Sequence, residues 1–212
     1  MKLTAIAILA LTVLGSCSKN STFSVKDNNG KKLIALLPLG NYHKDDLAFL
    51  QQEISTFFTR RVIILHSLQI PQKIIAADNS CNADSLLGLL SQYTNDTIAE
   101  VVGITSNDIN QVIETHLIRE SKLRLLTFNK SIFGLGYISG NACVISSFRI
   151  AYPDKTLMNN RLRKITLHEM GHNLGLMHCS NDSCLMSAKN GNMVMVNKTG
   201  GDFCTECRHL LN

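Results

Sequence analysis

Residues 168–179 read HEMGHNLGLMHC, and the spacing of their side chains constrains the chain around them. His168 and His172 are four residues apart, which on a helix sets them about 40° apart on one face, near enough to hold one ion. Glu169 lies between them in sequence, where a base would stand beside that ion. Gly175 follows three residues after His172, and a glycine there can take the left-handed conformation that ends a helix and turns the chain. The turn brings back His178 as a third imidazole. Three neutral imidazoles leave one position of a tetrahedral zinc open for water, as a catalytic site requires, and zinc lowers the pKa of such a water to about 7. An HExxH pentapeptide alone is a weak signal; the glycine and third histidine raise its specificity.

The pattern continues past the histidines. Cys179 follows His178 directly, Cys184 and Met186 come next, and residues 204–207 read CTEC. Four cysteines in two close pairs suit a closed tetrahedral thiolate site, and disulfides Cys179–Cys184 and Cys204–Cys207 are the competing reading in an exported protein. HExxHxxGxxH with a downstream methionine is the metzincin pattern. The full string, HExxHxxGxxHC, x4, CxM, x17, CxxC, resembles the archaemetzincins and agrees with them at each fixed position. The resemblance implies a metzincin-like α/β fold and a zinc metallopeptidase acting on peptide or protein substrates. It further implies two zinc ions, a catalytic one on His168, His172 and His178 with Glu169 as base, and a structural one on Cys179, Cys184, Cys204 and Cys207. Met186 would form the Met-turn, packed beneath the ligands without coordinating. Thiolates bound to zinc are shielded from oxidation, which favours metal over disulfides.

With 212 residues, 45% of them hydrophobic and 17% charged, the chain suits one ordinary domain. The net charge of +5 is mild and scattered, which argues against dedicated nucleic-acid binding, and a monomer is expected. Lys2 and the apolar run Leu3–Leu14 have the layout of an export signal too short to span a bilayer. Leu14-Gly15-Ser16-Cys17 resembles a bacterial lipobox, with cleavage before Cys17 and a lipid on that cysteine. The expected organisation is a signal over 1–16, a flexible polar tether over 17–31, and a catalytic domain over 32–212 with upper part 32–175 and lower part 176–212. Ser18 gives no acidic inner-membrane retention signal, so the expected location is the cell envelope, lipid-anchored at a bacterial membrane and more readily the outer one. Cys81 and Cys143 have open roles; Cys143 sits in an alternating apolar segment and reads as a buried small hydrophobe.

Hydrophobic periodicity predicts a strand over Lys32–Pro38, a helix over Asp45–Thr59 with Leu47, Leu50, Ile54 and Phe57 on one face, and a strand over Arg61–His66. A helix over Asn82–Thr94, a strand over Glu100–Thr105 and a short strand over Leu123–Phe128 follow. Alternating strands and helices point to a mixed, mostly parallel twisted sheet. Ser131–Arg149 reads as two strands joined by a Gly140-Asn141 turn, the first being Phe133–Ser139. Its FG…G…A.VIS..R pattern is also archaemetzincin-like, and in metzincins the corresponding edge strand pairs with an extended substrate. Arg149 reads as a structural ion-pair partner. Pro153 and Asp154 start the helix that carries the histidines and runs to about Leu174. Few periodic segments follow Gly175, so zinc and the Met-turn must order a small C-terminal subdomain. His43, His66, His116 and His209 have no ligand-like partners. Besides the peptidase, the sequence allows a catalytically silent zinc-bearing lipoprotein that binds a peptide or partner, or a metal-sequestering surface protein; the intact Glu169 argues against silence.

Overall fold

The apolar run LIALLPL forms strand β1, Leu33–Leu39, buried at every position, as a central parallel strand covered on both faces must be. The structure, a computed structural model, describes residues 32–119, 122–187 and 191–211, leaving out the side chains of 115–126. The export signal, Cys17 and nearly all of the tether lie outside these residues, as does the side chain of His116.

Strand β1 pairs in parallel with β2 (Val62–Ile64) and β4 (Ile98–Thr105). Strand β8 (Ala142–Ser146) adds parallel to β4, and β7 (Gly134–Gly136) pairs antiparallel with β8 at the edge. The sheet order is β2-β1-β4-β8-β7. Strands β3 (Cys81–Asn82), β5 (Ile109–Arg119) and β6 (Lys122–Ile132) form a second sheet in the order β3-β5-β6. Helices α1 (Lys44–Phe58) and α3 (Lys155–Asn173) cover one face of the large sheet, where Leu50, Ile54, Leu162 and Ile165 meet Ile34, Leu36, Val102 and Ile104. Helix α2 (Ala83–Leu90) covers the other, with Leu86 and Leu90 against Ala35, Leu37, Val101 and Val144. Short helices α4 (Met193–Lys198) and α5 (Thr205–His209) belong to the C-terminal part, whose apolar cluster joins Leu167, Leu176, Leu185, Met186 and Phe203. Among the described residues no helix is long and apolar enough to cross a membrane.

Several sequence expectations need correction. The segment expected as one short strand over Leu123–Phe128 is the eleven-residue β6, hydrogen-bonded to an equally long β5 that the periodicity did not indicate. The expected strand Phe133–Ser139 is the three-residue β7: the chain bends at Phe133, and the Ser139 N–H donates to the His172 carbonyl at 2.9 Å instead of continuing along β8. Its connection to β8 is therefore longer than a Gly140-Asn141 turn, and it contains Ser139 at φ 58°. Phe57 does not join the α1 stripe; it stacks edge-on with Phe203 at 5.2 Å and so ties α1 to the C-terminal cluster. Arg149 is the expected structural partner. It makes a two-pronged ion pair with Asp108 at 2.6 and 2.7 Å and donates to the Ser131 hydroxyl at 2.8 Å, bracing the root of the β5–β6 hairpin.

Candidate active site

Helix α3 starts where the Asp154 carboxylate accepts from the N–H groups of Thr156 and Leu157, and from Arg161 to Asn173 it is largely buried. Its basic side chains secure the C-terminal part: Lys164 donates to the backbone carbonyls of Val196, Asn197 and Thr199, Arg161 to the side-chain amide oxygen of Asn197, and Arg163 to the Gly201 carbonyl. The carbonyls that Lys164 meets lie in and just past the last turn of α4, where a cation is favoured. The helix ends as expected. Gly175 stands at φ 95°, its N–H donates to the His172 carbonyl at 2.8 Å, and the Leu176 N–H donates to the Gly171 carbonyl at 2.9 Å. This paired closure is a Schellman cap, and it directs the chain back toward the helix.

The cap brings three imidazoles together. Ring centroids of His168, His172 and His178 lie 4.8 to 5.3 Å apart, and one ring nitrogen from each falls within 4.8 Å of the others. Nδ1–H of His168 donates to the Leu185 carbonyl at 2.6 Å, and Nδ1–H of His172 to the Leu176 carbonyl at 2.8 Å. A carbonyl can only accept, so in both rings the lone pair is left on Nε2, the arrangement that second partners impose on metal-binding histidines. Burial lowers the His168 pKa to about 4 and lowers that of His172 too, keeping both neutral. This donor set fits zinc.

Glu169 lies directly beneath β7. A Cβ on Gly134 would stand 2.7 Å from Glu169 Cγ, and one on Gly136 would stand 2.5 Å from the Glu169 carbonyl oxygen, so both glycines are needed for the strand to approach so closely. Burial raises the carboxyl pKa to about 8, and the nearby Gly136 N–H opposes the rise. Lys130–Gly136, Ile165, Val196 and the three histidines line a cleft of about 250 Å³. That is smaller than pockets that enclose whole small ligands, and it suits part of an extended chain.

Behind the histidines, the sulfurs of Cys179 and Cys204 are 3.8 Å apart and those of Cys184 and Cys207 are 3.7 Å apart, all four cysteines being free. Zn–S bonds of about 2.3 Å at tetrahedral angles place sulfurs about 3.8 Å apart, so the cluster has the dimensions of a four-thiolate zinc site. Backbone N–H groups of Asn181, Met186 and Cys204 donate to these sulfurs.

The sequence model of peptidase family M54 matches residues 71–212. The chain belongs to peptidase family M54, the archaemetzincins. It is a zinc metallopeptidase with a three-histidine site and a four-cysteine site for two zinc ions. The archaemetzincin of Pyrococcus furiosus is 29% identical over 190 residues, covering 84% of this chain and 91% of that protein. The crystal structure of the archaemetzincin of Archaeoglobus fulgidus, complexed with malonate, superposes with a TM-score of 0.67 at 26% identity, covering 84% of this chain and 99% of that one. The archaemetzincin of Methanopyrus kandleri, at 22% identity, shares the fold with a TM-score of 0.67 over 85% of this chain and 93% of that one.

The structure brings the sequence-predicted residues into these two adjacent clusters. His43, His66 and His209 are exposed and belong to neither, and Cys81 and Cys143 are buried singly, as read for Cys143. Met186 is fully buried beneath the archaemetzincin helix, with its sulfur 2.5 Å from where a Cβ on Gly171 would stand. Gly171→Ala should therefore force the methionine out of place and lower stability by about 1–3 kcal/mol. Urea unfolding checks this, and the double variant with Met186→Ala should recover part of the loss. Spacing could not reveal Gly134, Gly136, Gly171 or Lys164, because each acts through contacts that exist only after folding.

Proposed function

We propose that His168, His172 and His178 hold the catalytic zinc of this metallopeptidase and that Glu169 is its general base. The observation that carries the reading is the convergence of three imidazoles, two of them with Nε2 set as acceptor by their Nδ1–H bonds, beside a carboxylate enclosed under an edge strand. Zinc bound there supplies Lewis-acid polarisation of the peptide carbonyl and acidifies the attacking water. Glu169 takes the proton of that water as it attacks and delivers it to the leaving amine. Gly134 and Gly136 let β7 lie directly against Glu169, and β7, last in its sheet, offers a backbone edge to an extended peptide substrate. Cys179, Cys184, Cys204 and Cys207 hold the structural zinc, with Met186 as the Met-turn residue.

The amino terminus supports a further part of the proposal. The short apolar run with Leu14-Gly15-Ser16-Cys17 fits export, cleavage and lipid attachment at Cys17, with residues 17–31 tethering a monomeric domain at the bacterial envelope, on the outer membrane in preference to the inner. Globomycin treatment of expressing cells and mass analysis of the amino terminus test this part.

His178 tests the ligand assignment, because it is exposed and its loss leaves the core intact. His178→Ala should lower bound zinc from two ions per chain to one after a mild chelating wash, cut peptide hydrolysis by about 10²-fold or more, and shift the melting temperature by only a few degrees. Retention of both ions with unchanged hydrolysis would overturn the assignment.

A further inference from the structure

The cleft is not confined to the histidines. Its lining runs without interruption from Lys130 through Ser131, Ile132 and Phe133 to Gly136. Strand β6 ends at Ile132 and β7 begins at Gly134, so a single residue separates them. Each is the last strand of its own sheet. One rim of the cleft is thus nearly continuous extended chain, leading from above Glu169 out onto the β5–β6 hairpin.

That rim carries a distinctive charge. Among the described residues lining the cleft, Glu169 supplies the sole carboxylate and is buried, whereas the Lys164 ammonium is saturated by three backbone carbonyls. Lys130 is exposed, and its ammonium has no hydrogen-bond or ion-pair partner among the described residues. Its cross-strand neighbour is the neutral Gln111, while the acidic Glu114 pairs with Thr127, three residues away and hence on the opposite face of the ribbon. Phe128, two residues from Lys130 and on the same face, exposes apolar surface farther out on the hairpin. The Arg149–Asp108–Ser131 bracket fixes the root of this arm, so Lys130 is held at a set distance from the base.

We infer that the β5–β6 hairpin is a remote section of the substrate cleft in which Lys130 binds a carboxylate of the peptide, an acidic side chain or a free C-terminus. The inference rests on the peptidase reading above. Gly134 is four residue steps from Lys130, at most about 13 Å of extended chain. An extended substrate therefore places its carboxylate roughly three to five residues from the scissile bond. The pairing is exposed and screened, so the expected discrimination is modest, about two- to five-fold, and it fades with salt.

The test uses the full zinc-loaded chain and peptides of one cleavable core that carry Glu or Gln at each position three to five residues away on either side, each made as C-terminal acid and as amide. Cleavage rates are measured on the wild type, and dissociation constants by fluorescence anisotropy on Glu169→Gln, so that recognition is read without turnover. The expected result is a two- to five-fold preference for the carboxylate-bearing peptide on one side of the scissile bond, expressed in KM and Kd and lost at about 0.5 M salt. Lys130→Gln should remove it, and Lys130→Glu should invert it toward peptides bearing Lys. A preference in the Glu/Gln pairs identifies a side chain as the ligand, and one in the acid/amide pairs alone identifies the chain terminus. Equal values across both sets overturn the inference, even if cleavage is efficient. Discrimination in binding without any wild-type cleavage supports Lys130 and overturns the peptidase chemistry assigned to Glu169.

Discussion

Glu169→Gln should abolish peptide hydrolysis while leaving both zinc ions in place. The substitution keeps the shape of the side chain, but an amide cannot take up the proton of the attacking water. General acid–base catalysis contributes typically 10²- to 10⁴-fold, and in the proposed mechanism one group serves as both base and acid, so a loss of at least about 10³-fold in kcat is expected. Ligation should be untouched, because the carboxylate is not among the residues that converge on a metal position. The amide matches the carboxyl in size and shape at this buried position, so the melting temperature should stay close to that of the wild type. Zinc content by atomic absorption, a thermal melt and a cleavage assay on one preparation separate loss of the base from loss of the fold. A variant that hydrolyses peptides at the wild-type rate would remove Glu169 from the mechanism.

Cys184→Ser should have the largest effect on stability. The apolar cluster of the C-terminal part contains few residues, and four of its members or close neighbours are the cysteines themselves. A structural zinc contributes on the order of 10 kcal/mol of apparent folding free energy in small zinc domains, comparable to the whole stability of an ordinary domain. Losing even about 5 kcal/mol of it lowers the melting temperature of a domain this size by about 10–20 °C. The damage should also reach the catalytic site. Cys179 adjoins His178, the Leu185 carbonyl accepts from His168, Met186 fills the space under Gly171, and the Cys179 N–H donates to the Met186 carbonyl at 2.6 Å. The segment 178–186 therefore belongs to both metal sites. Zinc content and thermal melts should show loss of the structural ion and weakened retention of the catalytic one, whereas Cys81→Ser should keep both ions. Retention of two tightly held ions and the wild-type melting temperature in Cys184→Ser would contradict a structural role for this cluster.

The parts of the molecule that were legible in the sequence are those set by local geometry. His168, Glu169 and His172 sit on one helix, where the helical period alone fixes their relation, and Gly175 signals a helix ending that the structure realises as a Schellman cap. Strand β1 was legible because a strand buried on both faces is continuously apolar. Strand β5 was not, since INQVIETHLIR lies in a ribbon with much of its described surface in solvent and lacks strict alternation. The closeness of β7 to Glu169 depends on glycines whose meaning is an absent side chain, and no spacing rule encodes the atom they make room for. Lys164 reads as one more cation on a polar helix until α4 folds against it. Zinc and the disulfides Cys179–Cys184 and Cys204–Cys207 were both open at the four cysteines; the spacing could not show that all four sulfurs gather within 4.8 Å of one another as free thiols, a grouping that suits a four-thiolate zinc site.

The most direct test of the central claim is mass-spectrometric mapping of the new termini produced from a diverse peptide library by the two-zinc protein, with Glu169→Gln holding the same two ions as its control. The account predicts discrete cleavage sites from the wild type, lost on chelation and restored by zinc, and none from the variant. The same termini from both proteins, or none from a wild type shown to carry both ions, would contradict it.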